Sequence, residues 1–195
     1  MGPRSALLLL CFAASCQVTH LVDPAPEPSS HLETRRTWYV KGEVPRTEIV
    51  LRVFDDGRAV QDGAKRNWYS NGQMESERFQ TDGRGYGTWR SWYPDGTLRS
   101  SVEIGDGRSL LPMTFWHENG REAASGFGID GVREGAWVYR RADGSIERRG
   151  EFRHGLREGR WEFFDGAGRV VEERLYREGK RIETIRREED GAASQ

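Results

Sequence analysis

Trp89-Arg-Ser-Trp-Tyr-Pro-Asp-Gly-Thr-Leu98 predicts a β-hairpin. Its aromatic residues run into Pro94-Asp95-Gly96, and a polar strand that carries Leu98 and Val102 follows. Proline at the second turn position, followed by aspartate and glycine, suits a type I turn that closes on a left-handed residue. Glycine is favoured at that position because a Cβ atom is sterically costly at positive φ. We therefore expect Gly96 to close a short hairpin loop.

Glycines recur at a spacing of 24 residues, which makes the chain a tandem-repeat protein. The column of hairpin glycines contains Gly72, Gly96, Gly120, Gly144 and Gly168. A second column follows the return strands and marks the turns between units: Gly83, Gly107, Gly131, Gly155 and Gly179. A third column is interrupted once, by Leu111, and otherwise contains Gly63, Gly87, Gly135 and Gly159. A fixed period of this length usually means that each unit is one supersecondary element stabilised by its neighbours.

Aromatic residues supply the predicted packing between the hairpins. Seven residues before the turn glycine, the units carry Lys65, Trp89, Met113, Trp137 and Trp161. Four residues before it, they carry Trp68, Trp92, Trp116, Arg140 and Phe164. Two residues after it, on the return strand, they carry Met74, Leu98, Glu122, Ile146 and Val170. Because seven and four differ by an odd number, we expect the first two columns on opposite faces of the strands.

The repeat resembles a known class at Gly-Arg-Trp161-Glu-Phe-Phe-Asp-Gly-Ala-Gly168 and Leu175-Tyr-Arg-Glu-Gly179. These residues look like the MORN repeat, in particular the variant of bacterial YwqK-family antitoxin-like proteins, and the resemblance covers residues 63–183. It implies an all-β fold in which tandem β-hairpins form an elongated, curved single sheet. Such repeats typically serve as binding or scaffolding surfaces, which implies a noncatalytic role.

The N-terminus predicts export. Arg4 precedes the apolar run Ala6–Ala14, and small residues stand immediately before Cys16, as in a cleaved signal peptide. The apolar run is shorter than the roughly 20 residues that a transmembrane helix needs. Ala-Ala-Ser-Cys resembles the lipobox of bacterial lipoproteins, which implies that Cys16 receives lipid and becomes the first residue of the mature protein. Gln17 in place of aspartate favours the outer membrane, and plain secretion is the alternative.

Composition shifts divide the chain into five parts. We expect a signal peptide at 1–15, a lipidated cysteine and disordered tether at 16–36, and a degenerate or capping β unit at 37–62. The tether is predicted from its prolines and its small and polar residues. Five hairpin repeats follow at 63–187, and a disordered tail at 188–195 ends the chain.

Charge and the distribution of histidines exclude several function classes. The chain has 30 Lys and Arg against 31 Asp and Glu, and this balance argues against nucleic-acid binding, which needs a concentrated basic surface. His117 and His154 fall at different phases of separate units, while His20 and His31 lie in the predicted tether. This pattern gives neither a close metal-ligand pair nor an activated nucleophile. We therefore predict no metal, no cofactor and no enzymatic activity.

Two function hypotheses remain. The favoured one is a noncatalytic envelope protein whose hairpin ribbon binds another protein or acts as a scaffold. Its candidate contact residues are Tyr86, Trp92, Tyr93 and Trp116. The alternative is a carbohydrate or cell-wall binder, in which an exposed aromatic row stacks on sugar rings. Neutralisation of an exported toxin is a less favoured variant of the first hypothesis.

Overall fold

The computed structural model describes residues 28–39 and 43–187. Every strand in this part of the chain belongs to one open antiparallel sheet, and the strands follow one another across it in chain order. They are β1 (Ser30–Trp38), β2 (Pro45–Phe54), β3 (Ala59–Trp68), β4 (Met74–Thr81), β5 (Arg84–Trp92), β6 (Leu98–Ile104), β7 (Leu111–Trp116), β8 (Glu122–Ile129), β9 (Val132–Arg140), β10 (Ile146–Arg153), β11 (Leu156–Phe164), β12 (Val170–Arg177) and β13 (Lys180–Arg186). The predicted all-β fold with a single sheet is therefore confirmed.

The first glycine column closes the five predicted hairpins, from β3–β4 to β11–β12. In the β5–β6 turn, the Tyr93 N–H donates to the Thr97 carbonyl at 2.8 Å, and the Gly96 N–H donates to the Tyr93 carbonyl at 2.9 Å. Gly96 has φ +87°, and the other four glycines of this column also have positive φ. The predicted turn and its requirement for glycine are confirmed.

The second glycine column lies between the hairpins, as the sequence predicts. Four of these connections are two-residue turns in which both residues have positive φ: Asp82-Gly83, Asp130-Gly131, His154-Gly155 and Glu178-Gly179. Positive φ at both central residues is the signature of a type I′ turn, whose twist matches that of the flanking strands. The connection between β6 and β7 differs, because it is a longer loop over residues 105–110.

The third glycine column forms β-bulges, a role that the sequence analysis did not assign. Between Gly126 and Phe127 of β8, the paired residue on β9 changes from Trp137 to Glu134, and Gly135 in this break has φ +69°. A β-bulge of this kind bends the strand and increases its twist. Where Leu111 interrupts the column, the pairing between β6 and β7 is limited to three residue pairs.

Tryptophan rings lying over glycines form the core of this single-layer sheet. Trp137 and Trp161 are fully buried. A Cβ atom on Gly126 would lie 2.5 Å from the Trp137 ring, and one on Gly150 would lie 2.5 Å from Cγ of Trp161. The missing Cβ therefore lets each indole lie directly on the backbone of the neighbouring strand.

Each indole also bonds to that strand, and a phenylalanine ring packs between the two. Nε1 of Trp137 donates to the Phe127 carbonyl at 2.9 Å, and Nε1 of Trp161 donates to the Glu151 carbonyl at 3.1 Å. Phe152 contacts both indoles edge-on, with centroid distances of 5.9 and 5.1 Å. Edge-to-face aromatic pairs add about 0.5–1.5 kcal/mol beyond area burial.

Side chains three residues before the turn glycines link each unit to the next. Tyr69 donates its hydroxyl to the Trp92 carbonyl at 2.8 Å, and Tyr93 donates to the Trp116 carbonyl at 2.8 Å. The matching positions in the next two units use other side chains for the same purpose: His117 pairs with the Arg140 carbonyl, and Arg141 donates to the Phe164 carbonyl. The unit-to-unit bond is therefore retained while the residue type changes.

The predicted domain boundaries need correction at the N-terminal end. The predicted disordered tether at 16–36 includes Ser30–Arg36, yet these residues form most of β1 and pair with β2 from Ser30 opposite Phe54 onward. Composition misled here because an edge strand is stabilised by backbone pairing and by ion pairs such as Arg36–Glu48, at 2.6 Å, without much apolar surface. The signal peptide, Cys16, His20, most of the tether and the 188–195 tail lie outside the described residues.

The capping unit also has a different boundary. The predicted limit at residues 62 and 63 falls inside β3, which β2 joins through a turn at Asp55-Asp56-Gly57. Gly57 has φ +85°, and its N–H donates to the Phe54 carbonyl at 2.9 Å, as in the five repeat turns. Only one strand, β3, separates Gly57 from Gly72, whereas two strands separate successive hairpin glycines of the repeats. Gly57 therefore precedes Gly72 by 15 residues instead of 24.

We expect Gly144→Val to reduce the free energy of unfolding by about 1–3 kcal/mol, the usual cost of a non-glycine residue in a sparsely populated backbone region. A Cβ atom at Gly144 would meet nothing within 4 Å, so the cost comes from the φ of +95° alone. Urea denaturation followed by circular dichroism measures it. The matched control is Gly166→Val, since Gly166 is equally open but lies outside the positive-φ region. Equal stability of the two variants would contradict this account.

We expect Gly150→Ala to destabilise the sheet by about 1–3 kcal/mol, the usual cost of overpacking. The added methyl group would overlap the Trp161 ring, which has no room to withdraw because it is fully buried. The same denaturation experiment, with the near-ultraviolet aromatic signal as a second probe, measures the effect. Gly166→Ala serves as the control. A Gly150→Ala protein as stable as the wild type would show that the indole does not depend on the glycine.

Candidate binding surface

The sheet has two chemically different faces. The core face carries Trp89, Met113, Trp137 and Trp161, and the outer face carries Trp68, Trp92, Trp116 and Phe164. The opposite orientation of these two columns follows from the strand pairing and confirms the prediction. All strands of the described residues belong to the one sheet, so none of them forms a second layer over the outer face.

An apolar row lies along the outer face near the hairpin turns. The paired residues are Trp68 with Met74, Trp92 with Leu98, Trp116 with Glu122, Arg140 with Ile146, and Phe164 with Val170. The two departures from apolar character compensate each other, because Arg140 and Glu122 form an ion pair at 3.1 Å. The sequence shows that Arg140 and Glu122 depart from the apolar pattern, but only the structure shows that the two side chains are in contact.

A second row crosses the outer face through all thirteen strands. Its members are directly paired from strand to strand: Arg36, Glu48, Arg66, Glu77, Arg90, Ser101, Thr114, Ser125, Val138, Arg149, Glu162, Glu173 and Ile185. Charged residues predominate on both sides of the row, which ends on Ile185, and small uncharged residues occupy the middle.

Ion pairs organise the charged ends of this row. Arg66 contacts Glu48 at 3.0 Å and Glu77 at 2.8 Å, while Arg36 contacts Glu48 at 2.6 Å. The hydrogen bond from the Arg36 guanidinium, together with the one from Arg66, lowers the pKa of Glu48 against the opposing effect of burial. At the other end, Glu173 is buried and contacts Arg160 at 3.0 Å.

The structure brings three of the four predicted contact residues onto one surface. Trp92 and Trp116 are half-buried on the outer face. Tyr86 is 44% exposed there and lies 6.0 Å, centroid to centroid, from Phe79 on the adjacent strand. Tyr93 follows β5, and its hydroxyl is bonded to the Trp116 carbonyl. Tyr93 therefore links units, whereas a contact role for the other three stays a prediction.

Arginines stack on the aromatic rings of the core face, which the sequence analysis did not predict. The Arg133 guanidinium lies 5.0 Å from the Trp137 ring centroid, and that of Arg157 lies 4.6 Å from the Trp161 centroid. Tyr139 lies between such groups, with Arg148 at 4.2 Å, and its burial raises the pKa of its hydroxyl.

The signal for this arrangement is the tripeptide Arg-Glu-Gly in register with the third glycine column, at 133–135 and 157–159; the third copy, at 177–179, is in register with the second column and forms a turn. The arginine stacks on the indole, and the glycine forms the bulge. The glutamate accepts a backbone N–H of the following type I′ turn: His154 donates to Glu134 at 2.7 Å, and Glu178 donates to Glu158 at 2.8 Å. At these two positions the tripeptide therefore orients an indole ring, stabilises a type I′ turn and allows a β-bulge.

The described residues contain neither a metal-binding cluster nor a membrane-spanning helix. In this part of the chain no three His, Cys, Asp or Glu side chains are grouped to hold a metal ion. Residues 28–39 and 43–187 also contain no helix long and apolar enough to cross a membrane. His117 and His154, the two histidines of the repeats, lie in separate turns and take part in the hydrogen bonds described above.

Comparison with known proteins supports the repeat class. The MORN repeat variant family matches residues 86–103, which span most of β5, the Gly96 turn and nearly all of β6. A search of curated proteins finds no similar one. MORN repeats are generally associated with protein or membrane binding and are generally noncatalytic. The family match and the hairpin geometry together support MORN-type repeats in this chain.

Proposed function

We propose that this protein is a noncatalytic binding or scaffolding module of the bacterial cell envelope, anchored to a membrane through Cys16 and binding a protein partner with its outer face. The observation that carries the proposal is the outer face itself. It continues across all thirteen strands without a covering layer in the described residues. Repeat ribbons characteristically use such extended surfaces for binding.

The centre of the outer face has the composition of an interface core. Trp92 and Trp116 are half-buried there, Tyr86 is 44% exposed, and Phe127 is 50% exposed. Protein interfaces are enriched in aromatic residues and depleted in charge at their centres. The small side chains of Ser101, Thr114 and Ser125 lie between these aromatic residues and carry no charge.

The ends of the outer face supply a polar rim. Arg66 lies between Glu48 and Glu77 at one end, and at the other end Arg149 contacts Glu162 at 2.5 Å. Ion pairs at the protein surface typically contribute only about 0.2–1 kcal/mol each to stability. Across an interface, however, a rim of both charge signs favours one orientation of the partner and one partner over another.

The burial of the core-face rings favours a protein partner over a polysaccharide. Sugar stacking needs a row of accessible rings, yet Trp137 and Trp161 are fully buried and hydrogen-bonded to the backbone. The most exposed aromatic side chains are Trp38, Tyr86 and Phe127, which lie on the non-adjacent strands β1, β5 and β8 and do not form a row. A carbohydrate ligand is therefore the second candidate, and neutralisation of an exported toxin is one form that protein binding would take.

Lipid attachment at Cys16 is the first testable part of this proposal. We expect Cys16→Ser to abolish incorporation of labelled fatty acid and to release the protein from membranes, because serine lacks the thiol that accepts lipid. Metabolic labelling followed by membrane fractionation measures both effects. Cys11→Ser is the matched control, since Cys11 lies within the predicted signal peptide. Undiminished labelling of the Cys16→Ser protein would exclude this anchor.

The binding surface is the second testable part. Crosslinking in the native bacterium, followed by mass spectrometry, should recover one envelope protein reproducibly. We expect the double variant Tyr86→Ala and Phe127→Ala to lower the affinity for that partner by at least about tenfold, because aromatic hot-spot residues commonly contribute 2 kcal/mol or more to binding. Titration of the purified proteins measures the change.

Leu156→Ala is the control for this experiment. Leu156 is 50% exposed, like Phe127, but packs beside the turn glycine Gly179 and away from the centre of the outer face. Partner binding should survive this substitution. Saturable binding of the wild-type protein to peptidoglycan, lost in the double variant and without a protein partner, would replace the proposal by the carbohydrate alternative.

A further inference from the structure

A surface pocket of about 630 Å³ lies beside Trp89, where the repeat pattern departs from its usual form. Its lining residues come from β5, from the end of β6 and the loop that follows, and from the turn after β8: Arg84, Gly85, Trp89, Ile104, Gly105, Asp106 and Asp130. This volume falls within the range of about 300–1,000 Å³ that is usual for ligand sites. None of these residues belongs to the outer-face centre described above.

The repeats themselves show what normally fills this position. Two units further along the chain, 48 residues later, Arg133 stands where the pocket has Gly85, and Phe152 stands where it has Ile104. There the Arg133 guanidinium lies 5.0 Å from the Trp137 ring and 5.3 Å from the Phe152 ring. The fifth unit repeats the arrangement with Arg157 and Trp161. The second unit keeps the indole but lacks the arginine that would stack on it from this position.

Carboxylates complete the pocket. Oδ1 of Asp106 accepts the backbone N–H groups of Arg108 and Ser109, both at 3.0 Å, and the first of these bonds lowers the pKa of Asp106 most. Asp130 lies against the same loop, because a Cβ atom on Gly107 would be 2.9 Å from its Oδ2. With Arg84, the lining carries two acidic groups and one basic group.

An arginine of the protein already stacks on Trp89, but it leaves the pocket open. The Arg78 guanidinium lies 5.3 Å from the Trp89 ring centroid and does not belong to the pocket lining. Nε1 of Trp89 donates to the Phe79 carbonyl at 3.1 Å, as the indoles of the later units do. The indole is therefore fixed in place, and its pocket-facing part is available to a ligand.

We infer that this pocket binds the guanidinium group of an arginine side chain from a partner protein. The arginine would stack on Trp89 as Arg133 stacks on Trp137, and its charge would face Asp106 and Asp130. Planar guanidinium groups favour this combination of an aromatic face and carboxylate acceptors. The inference rests on the proposed protein-binding function and specifies the chemistry of one contact.

The test is a nuclear magnetic resonance titration of the ¹⁵N-labelled full chain with N-acetyl-arginine amide. We expect a saturable shift of the Trp89 indole N–H signal and of the Gly85 and Gly105 amide signals. Asp130→Asn should weaken binding by about two- to fivefold, the fold-change that corresponds to a partly exposed ion pair. Asparagine tolerates the left-handed turn conformation at this position, so the fold is preserved.

The matched control is Asp82→Asn, at the equivalent turn position two units earlier, where φ is +46° compared with +49° for Asp130. It should leave arginine binding unchanged. Gly85→Arg should abolish the titration, because a Cβ atom at this position would lie 2.5 Å from Cζ2 of Trp89 and displace the ring on which the ligand stacks. No shift at Trp89 with N-acetyl-arginine amide, equal binding by Asp130→Asn, or a shift caused only by methyl N-acetylglucosaminide would overturn the inference.

The same variants separate this inference from the proposed function. If Asp130→Asn binds the crosslinked partner with wild-type affinity, the pocket assignment fails while protein binding by the outer face stands. If no partner is recovered but the arginine titration behaves as expected, the proposed function loses its support while the pocket chemistry is retained.

Discussion

The fold depends on indole rings packed directly onto glycine residues of a neighbouring strand. A single-layer sheet has no second layer against which to bury its apolar side chains, so its core must form within the thickness of one face. Gly126 and Gly150 make this packing feasible, because any side chain there would occupy the space of the Trp137 and Trp161 rings. The bond from each indole to a carbonyl on the next strand then fixes the ring in position.

The 24-residue period reflects three backbone constraints that each unit must satisfy. One glycine closes the hairpin, a second closes the turn to the next hairpin, and a third allows the bulge beside the indole. Hydrogen bonds such as Tyr93 to Trp116 repeat with the same period and join each unit to its successor. Because every unit contacts only its neighbours, stability is expected to be close to a sum of unit and interface terms. The exception is the β6–β7 boundary, where Leu111 replaces the bulge glycine, the pairing is short and the Trp89 pocket adjoins the long loop.

Turns and the orientation of side chains along one strand could be predicted from the sequence, whereas contacts that depend on the pairing register between strands could not. The turn at Gly96 and the opposite orientation of Trp89 and Trp92 follow from turn preferences and strand alternation, which act over a few residues. The pairing of Glu122 with Arg140 and the filling of one unit's pocket by Arg133 depend on which residues meet across strands. Ser30–Arg36 was misassigned for a related reason, since an edge strand needs a paired backbone more than an apolar composition. Among the predicted contact residues, Tyr93 forms a hydrogen bond within the protein, to the Trp116 carbonyl of the next unit. Predicting this bond requires knowing how far apart successive hairpins lie.

The proposed binding sites lie where the chain departs from the regular repeat, and the repeat itself supplies the platform. The outer-face centre around Ser101, Thr114 and Ser125 and the Trp89 pocket both lie in the middle strands, which lack the Arg-Glu-Gly tripeptide of residues 133–135 and 157–159. The most direct measurement of the central claim is the chemical shift of the Gly126 and Gly150 Hα protons. Protons held against an indole face are shielded by its ring current, so we expect strong upfield shifts for both glycines. Hα shifts at ordinary β-strand values would contradict the packing of tryptophan on glycine.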